Sequence, residues 1–208
     1  MRTKALLGLA ALAVSTVVTS AQVYSLNVVG YYNVTVPANS FYMIANQLDT
    51  ANNTIGALMP SVPPNTEFYK YAGGYTSYLF DELDLAWTPD GNATLNPGEG
   101  GFIKNPTASP MTITFVGEVK QGELTNPLPQ GFAIRSSIVP QAGKVTTDLG
   151  LPAAANDELY TYNNGYTAYL FDELDLAWTP TEPTVVVGQA FFVKKQAAAS
   201  WVRTFNVQ

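Results

Sequence analysis

Carboxylates and aromatic rings are the side chains through which this chain could do chemistry, and they come in a repeated block. Tyr75-Thr-Ser-Tyr-Leu-Phe-Asp-Glu-Leu-Asp-Leu-Ala-Trp-Thr-Pro89 returns as Tyr166-Thr-Ala-Tyr-Leu-Phe-Asp-Glu-Leu-Asp-Leu-Ala-Trp-Thr-Pro180, identical in 14 of 15 positions at a spacing of 91. The acids Asp81, Glu82 and Asp84, and their repeats Asp172, Glu173 and Asp175, offer hard oxygen ligands within four residues. Weak extracellular Ca²⁺ sites can be built from so little once backbone carbonyls are added. The competing reading is a solvated loop that keeps a flat β surface soluble, with Leu83, Leu85 and Trp87 tucked inside. Acid–base catalysis fits poorly. A glycosidase needs two carboxyls facing each other across a sugar, and acids this close in sequence cannot flank one. Glu99, a further tempting acid, becomes Gln189 in the second copy.

Histidine and cysteine are both absent. That removes Ser-His-Asp and Cys-His nucleophiles and zinc or copper held by His or Cys. The residues therefore predict a protein that is not an enzyme. Rings remain as the second candidate. Tyr75, Tyr78 and Trp87, with Tyr166, Tyr169 and Trp178, gather near one hairpin in each copy and could stack on sugar rings. Cross-strand aromatic pairs also stabilise hairpins with no ligand at all. In strand alternation Tyr75, Ser77 and Leu79 share one face, and Thr76, Tyr78 and Phe80 the other.

The elements that position these groups read as strands throughout. Residues 22–37 are rich in β-branched and aromatic types and end at Pro37, as one or two strands would. Phe41 to Ala45 is a short apolar strand, and Thr54 caps a single helical turn before Pro60. Glu67 to Tyr71 and Tyr75 to Phe80 form a hairpin across Ala72-Gly73-Gly74. The second copy has Asn163-Asn164-Gly165 there, and Asn-Gly also tolerates positive φ. Gly101 to Lys104 and Met111 to Val119 are further strands. No stretch carries a long helical period. Strands every eight to twelve residues, broken by Gly and Pro, predict an all-β chain of two tandem sandwich or small-barrel modules.

Arg2 and Lys4 precede an uncharged apolar run to Val18 and the small residues Thr19-Ser20-Ala21. That layout predicts a secretory signal peptide over 1–21, followed by module one at 22–121 and module two at 122–208. The chain carries 10 basic and 16 acidic residues. Without Arg2 and Lys4 the balance is 8 against 16, a charge of about −8, which repels nucleic acid and anionic membrane surfaces. No later segment is apolar enough for membrane insertion.

Asn27-Val-Val-Gly-Tyr31 resembles Thr114-Phe-Val-Gly-Glu118 at the end of module one, and Arg203-Thr-Phe-Asn-Val207 resembles the same strand. Either the two termini pair within one molecule, or the N-terminal strand adds to the edge of a neighbour. Residues 22–37, Ile44-Ala-Asn-Gln-Leu48 and Leu95-Asn-Pro-Gly-Glu-Gly-Gly-Phe-Ile-Lys104 together resemble uncharacterised secreted β-repeat proteins of some Gram-negative bacteria. There a Leu-x-Pro-Gly-x-Gly-Phe turn and strand closes each module. The second copy departs from that motif, reading Val186-Val-Gly-Gln-Ala-Phe-Phe-Val193. The resemblance implies an extracellular location and this architecture, and transfers no catalytic residue. The expectation is a secreted structural or adhesive surface protein that self-assembles by strand addition through residues 22–37. The alternative is a carbohydrate-binding module using the repeated rings. The partners are then a second copy of the chain or a surface glycan.

Overall fold

The computed structural model describes residues 28–207. The expected export signal and the first part of the 22–37 strand lie outside the described residues. In chain order the elements are β1 (Val29–Val36), β2 (Phe41–Ala45), the helical turn α1 (Ile55–Leu58), β3 (Glu67–Tyr71), β4 (Tyr75–Phe80) and β5 (Trp87–Thr88). They continue with β6 (Gly100–Lys104), β7 (Met111–Glu118), β8 (Gly122–Leu128), β9 (Gly131–Arg135) and β10 (Gly143–Lys144). The last are β11 (Glu158–Tyr162), β12 (Tyr166–Phe171), β13 (Trp178–Thr179), β14 (Thr184–Val185), β15 (Phe191–Lys195) and β16 (Ala199–Phe205). The chain is all-β, and its sheets are open.

Two five-stranded antiparallel sheets carry the repeat. One runs β2-β6-β3-β4-β5 and the other β9-β15-β11-β12-β13, the same order strand for strand. The hairpins β3–β4 and β11–β12 turn through Gly73 and Asn164 at positive φ, the backbone that these two residue types tolerate best. Thr54 caps α1, its side chain accepting from the Ala57 N–H. Both Thr88–Pro89 and Thr179–Pro180 are cis.

The two termini do not pair with each other, which was the intramolecular way read from the sequence. β1 lies antiparallel to β7 from Val29 opposite Glu118 to Val36 opposite Met111. β16 lies antiparallel to β8 from Phe205 opposite Gly122 to Ala199 opposite Leu128. Each terminus thus pairs with one part of the 111–128 segment, because both parts alternate apolar and polar and each needs a partner to close a core. Each ribbon covers one face of a sheet. Tyr32, Val34, Val36, Met111, Ile113 and Phe115 pack with Phe68, Phe80, Trp87 and Ile103 in one core, which also takes Leu124, Ile138 and Val139 from beyond residue 121. Leu128 and Trp201 pack with Leu159, Trp178, Phe191 and Val193 in the other.

A third, smaller core joins the two halves: Met43, Ala45, Phe102, Ile134, Ala190 and Phe192. The backbone contacts around it are reciprocal. Ile44 bridges Gln189 as Glu99 bridges Arg135. The Ala45 N–H donates to the Gly188 carbonyl at 2.9 Å, and the Ser136 N–H to the Gly98 carbonyl at 2.9 Å. Each contact maps onto the other by the repeat spacing, which is the mark of an internal two-fold. Gly100 lies on that seam. A Cβ there would meet the Ile44 carbonyl at 2.8 Å and the Ile134 side chain at 2.9 Å.

Candidate functional site: twin aromatic clefts on the internal two-fold

Strand alternation turns Tyr69, Tyr71 and Tyr75 away from the first core, and Tyr160, Tyr162 and Tyr166 away from the second. Tyr71 sits directly opposite Tyr75 across its hairpin, and Tyr162 opposite Tyr166. Phe102 on β6 and Phe192 on β15 lie in the seam between the halves, and Phe41 and Phe132 lie at the first and second positions of the adjoining strands β2 and β9. The two halves meet through these rings. Tyr71 meets Phe192 edge-on at 5.2 Å and 85°, and Tyr162 meets Phe102 at 5.1 Å and 88°.

Two clefts result. One, of about 330 Å³, is lined by Phe41, Tyr69, Tyr75, Phe102, Tyr162 and Tyr166. The other, of about 390 Å³, is lined by Phe132, Tyr160, Tyr166, Phe192, Tyr71 and Tyr75. Every residue of one has its repeat counterpart in the other, so each half supplies four residues to its own cleft and two tyrosines to its neighbour's. Tyr75 and Tyr166, 52% and 54% exposed, line both and form the ridge between them. Burial, and then the neighbouring Tyr166 hydroxyl, push the Tyr75 phenol up.

Charge is confined to the rims. Lys104 Nζ donates to Glu67 Oε1 at 2.5 Å and lies 5.9 Å over the Phe41 ring. Lys194 Nζ donates to Glu158 Oε1 at 2.6 Å and lies 5.5 Å over Phe132. The Tyr69 and Tyr160 hydroxyls donate to the same two carboxylates. Burial and the Glu67 bond push Tyr69 up to about 12, and the Glu158 bond and burial do the same to Tyr160. The lysines, then these tyrosines, hold Glu67 and Glu158 below the usual carboxylate range. Each cleft thus presents phenol and phenyl faces inside a rim of paired charge.

The residues named from sequence divide between the two faces. Tyr75 and Tyr166 lie in the clefts, whereas Tyr78 and Tyr169 pack against the first and second cores. Trp87 and Trp178 are buried, their indole N–H groups donating to the Met59 carbonyl at 2.9 Å and to Thr146 Oγ1 at 2.8 Å. Neither indole is available as a stacking platform. Phe41, Phe102, Phe132 and Phe192 complete the site without having been expected there. Their retention as repeat pairs was the available signal, since Phe132 answers Phe41 and Phe192 answers Phe102.

The acids do not converge on a cation. Asp81 Oδ1 accepts the N–H groups of Leu83 at 2.7 Å and Asp84 at 3.1 Å, and Asp172 does the same for Leu174 and Asp175. Those bonds hold both carboxyls below their ordinary range. Glu82 and Glu173 accept from Asn65 and Asn156 at 3.1 and 3.0 Å. Among the described residues no group of three or more acids, His or Cys is placed to hold a metal ion. The loop also carries a correction. Leu83 and Leu174, 87% and 86% exposed, and Leu85 and Leu176, 61% and 65% exposed, point outward rather than in. The Asp81 turn and the Asp81 N–H to Ala86 carbonyl bond close the loop on itself, and Leu85 takes a left-handed φ of 48°. The tight turn leaves no route for Leu83 back to the core.

No protein-family model, curated protein or solved structure matches the chain.

Proposed function

We propose that this chain is an exported, non-catalytic adhesive protein of two sandwich-like modules, and that its twin clefts bind ring ligands, surface glycans foremost. The observation that carries this reading is the pair of reciprocal clefts lined by Tyr75, Tyr166 and their flanking rings. Their volumes fall in the range of about 300–1,000 Å³ typical of small-molecule sites. Sugar rings carry apolar C–H faces that pack on the negative face of an aromatic ring. Packing between the halves accounts for Phe102 and Phe192, which are buried, and leaves Tyr75 and Tyr166 more than half exposed. The negative net charge and the neutral cleft interior disfavour polyanions such as nucleic acid.

Glycan-array screening of the purified chain tests it. Binding is expected and should fall at least tenfold in Tyr75→Ala/Tyr166→Ala, while Leu83→Ala leaves it unchanged. No binding across a broad array, or binding indifferent to the tyrosine pair, would sink the reading.

A second reading, assembly by strand exchange through residues 22–37, draws support from the β1–β7 ribbon. β1 is paired on one side only, and Val29, Tyr31 and Val116 stand exposed on the ribbon's outer face. An open edge with apolar side chains is the kind that accepts a strand from a neighbour.

A further inference from the structure

The second half holds a buried charged pair that the first half does without. Asp157, just before β11, and Lys195, the last residue of β15, have side chains 2% and 3% exposed. The Lys195 ammonium donates to Asp157 Oδ2. The repeat positions are Thr66 and Asn105, neutral side chains satisfied by carbonyls: Thr66 Oγ1 donates to Pro63 at 2.6 Å and Asn105 Nδ2 to Ser109 at 2.8 Å. The architecture is thus built once without ions at this place. A buried ion pair is weak evidence for a stabilising role, because desolvation offsets most of the attraction.

The strand register and the backbone hold the pair in contact. β11 and β15 pair antiparallel with Glu158 opposite Lys194, so the register sets Asp157 against Lys195 one step further along. Asp157 Oδ1 accepts the Gln196 N–H at 3.0 Å, and Oδ2 accepts the Ala154 N–H at 2.7 Å. Lys195 Nζ has one other acceptor, the Pro152 carbonyl at 2.8 Å. Leu151, Leu159 and Val193, neighbours in the chain, belong to the second core.

The geometry points to an intramolecular amide between Lys195 Nζ and Asp157 Cγ, formed by the chain itself. The reaction begins with transfer of one proton from Nζ to Oδ2 along the contact between them, which leaves an amine against a carboxylic acid. The amine lone pair attacks Cγ, and the carbonyl electron pair moves onto Oδ1, where the Gln196 N–H stabilises it. Oδ2 takes a second proton from the nitrogen and leaves as water as the Cγ–Oδ2 bond breaks. The Nζ–Cγ bond replaces it, the C=O bond to Oδ1 reforms, and the remaining N–H keeps its Pro152 acceptor. Nothing is oxidised or reduced, and water is the sole product released. Fixed strands stand in for a catalyst by holding nucleophile and electrophile in contact, where effective concentrations reach about 10⁵–10⁸ M. The product removes two buried charges and ties β11 to β15.

Mass spectrometry of the purified full chain, intact and after trypsin, tests this. The expected mass lies one water below that of the sequence from its observed N-terminus. Trypsin then fails to cut after Lys195, and a branched peptide joins the Asp157 segment to the Lys195 segment. Lys195→Met, which keeps the apolar stem, should show its full sequence mass. A folded wild-type chain at full sequence mass, cut normally after Lys195, would overturn the proposal.

Discussion

Trp87 and Leu83 sit four residues apart in the same repeated block and answer to opposite physics. Trp87 buries its ring beside Phe80, 5.5 Å away at 72°, and donates to the Met59 carbonyl. Removing it leaves a cavity and an unpaired carbonyl, so Trp87→Ala should cost about 3–5 kcal/mol in urea unfolding. Leu83→Ala removes a side chain that touches mostly water and should stay within about 0.5 kcal/mol. Equal costs for the two would contradict the placement of the loop. The apolar-inside rule fails at Leu83 because it runs one way only: buried residues are apolar, but apolar residues need not be buried. The signal that Leu83 points outward was local all the same. An Asp two residues before an N–H it can accept makes a self-closing turn, and Asp81 has that relation to Leu83. Tyr75 was legible by alternation. Trp87 lies inside as the solvated-loop reading expects, but that reading put Leu83 and Leu85 inside with it, because β5 is two residues long and offers no period to tell them apart.

Strands and hairpins were legible where their causes are local. β3, β4 and the turn between them follow from alternation and from Gly73, and β7 from its Thr-apolar run. The partner of β1 was not, since alternation says which face a strand buries and not which strand lies beside it. Tyr32, Val34 and Val36 face the first core, so losing β1 removes core as well as edge. Deleting residues 22–37 would therefore confound assembly with unfolding. A covalent staple separates them. Asn33 and Thr114 face each other, their side chains 2.7 Å apart on the exposed face of the ribbon, and the chain has no cysteine of its own. In Asn33→Cys/Thr114→Cys, oxidised at low concentration, the disulfide should form within one chain and leave a monomer on non-reducing gels. If strand exchange operates, raising the concentration before oxidation should give covalent dimers and longer ladders. Monomer at every concentration would exclude exchange through β1.

Neither half contains a complete cleft, and that relation could not be read from the sequence at all. Repetition reveals that two copies exist, whereas their mutual orientation depends on which surfaces meet, a long-range outcome of packing at Gly100, Ile134 and Ala190. Those residues are small or apolar and carry no mark of their role. The two-fold makes the clefts interdependent: one needs Tyr162 and Tyr166 from the second half, and the other needs Tyr71 and Tyr75 from the first. Ala190 is the place to test this. It is fully buried in the joining core, outside the two main cores, and its N–H donates to the Met43 carbonyl across the seam at 3.1 Å. Ala190→Asp places an uncompensated charge there, at a cost of several kcal/mol that moving the halves apart relieves. Small-angle scattering should report a larger radius of gyration while circular dichroism keeps its β signature, and ligand binding should disappear from both clefts together. Loss from one cleft with the other intact would mean that each half carries its own site, and the shared tyrosines would then be packing alone.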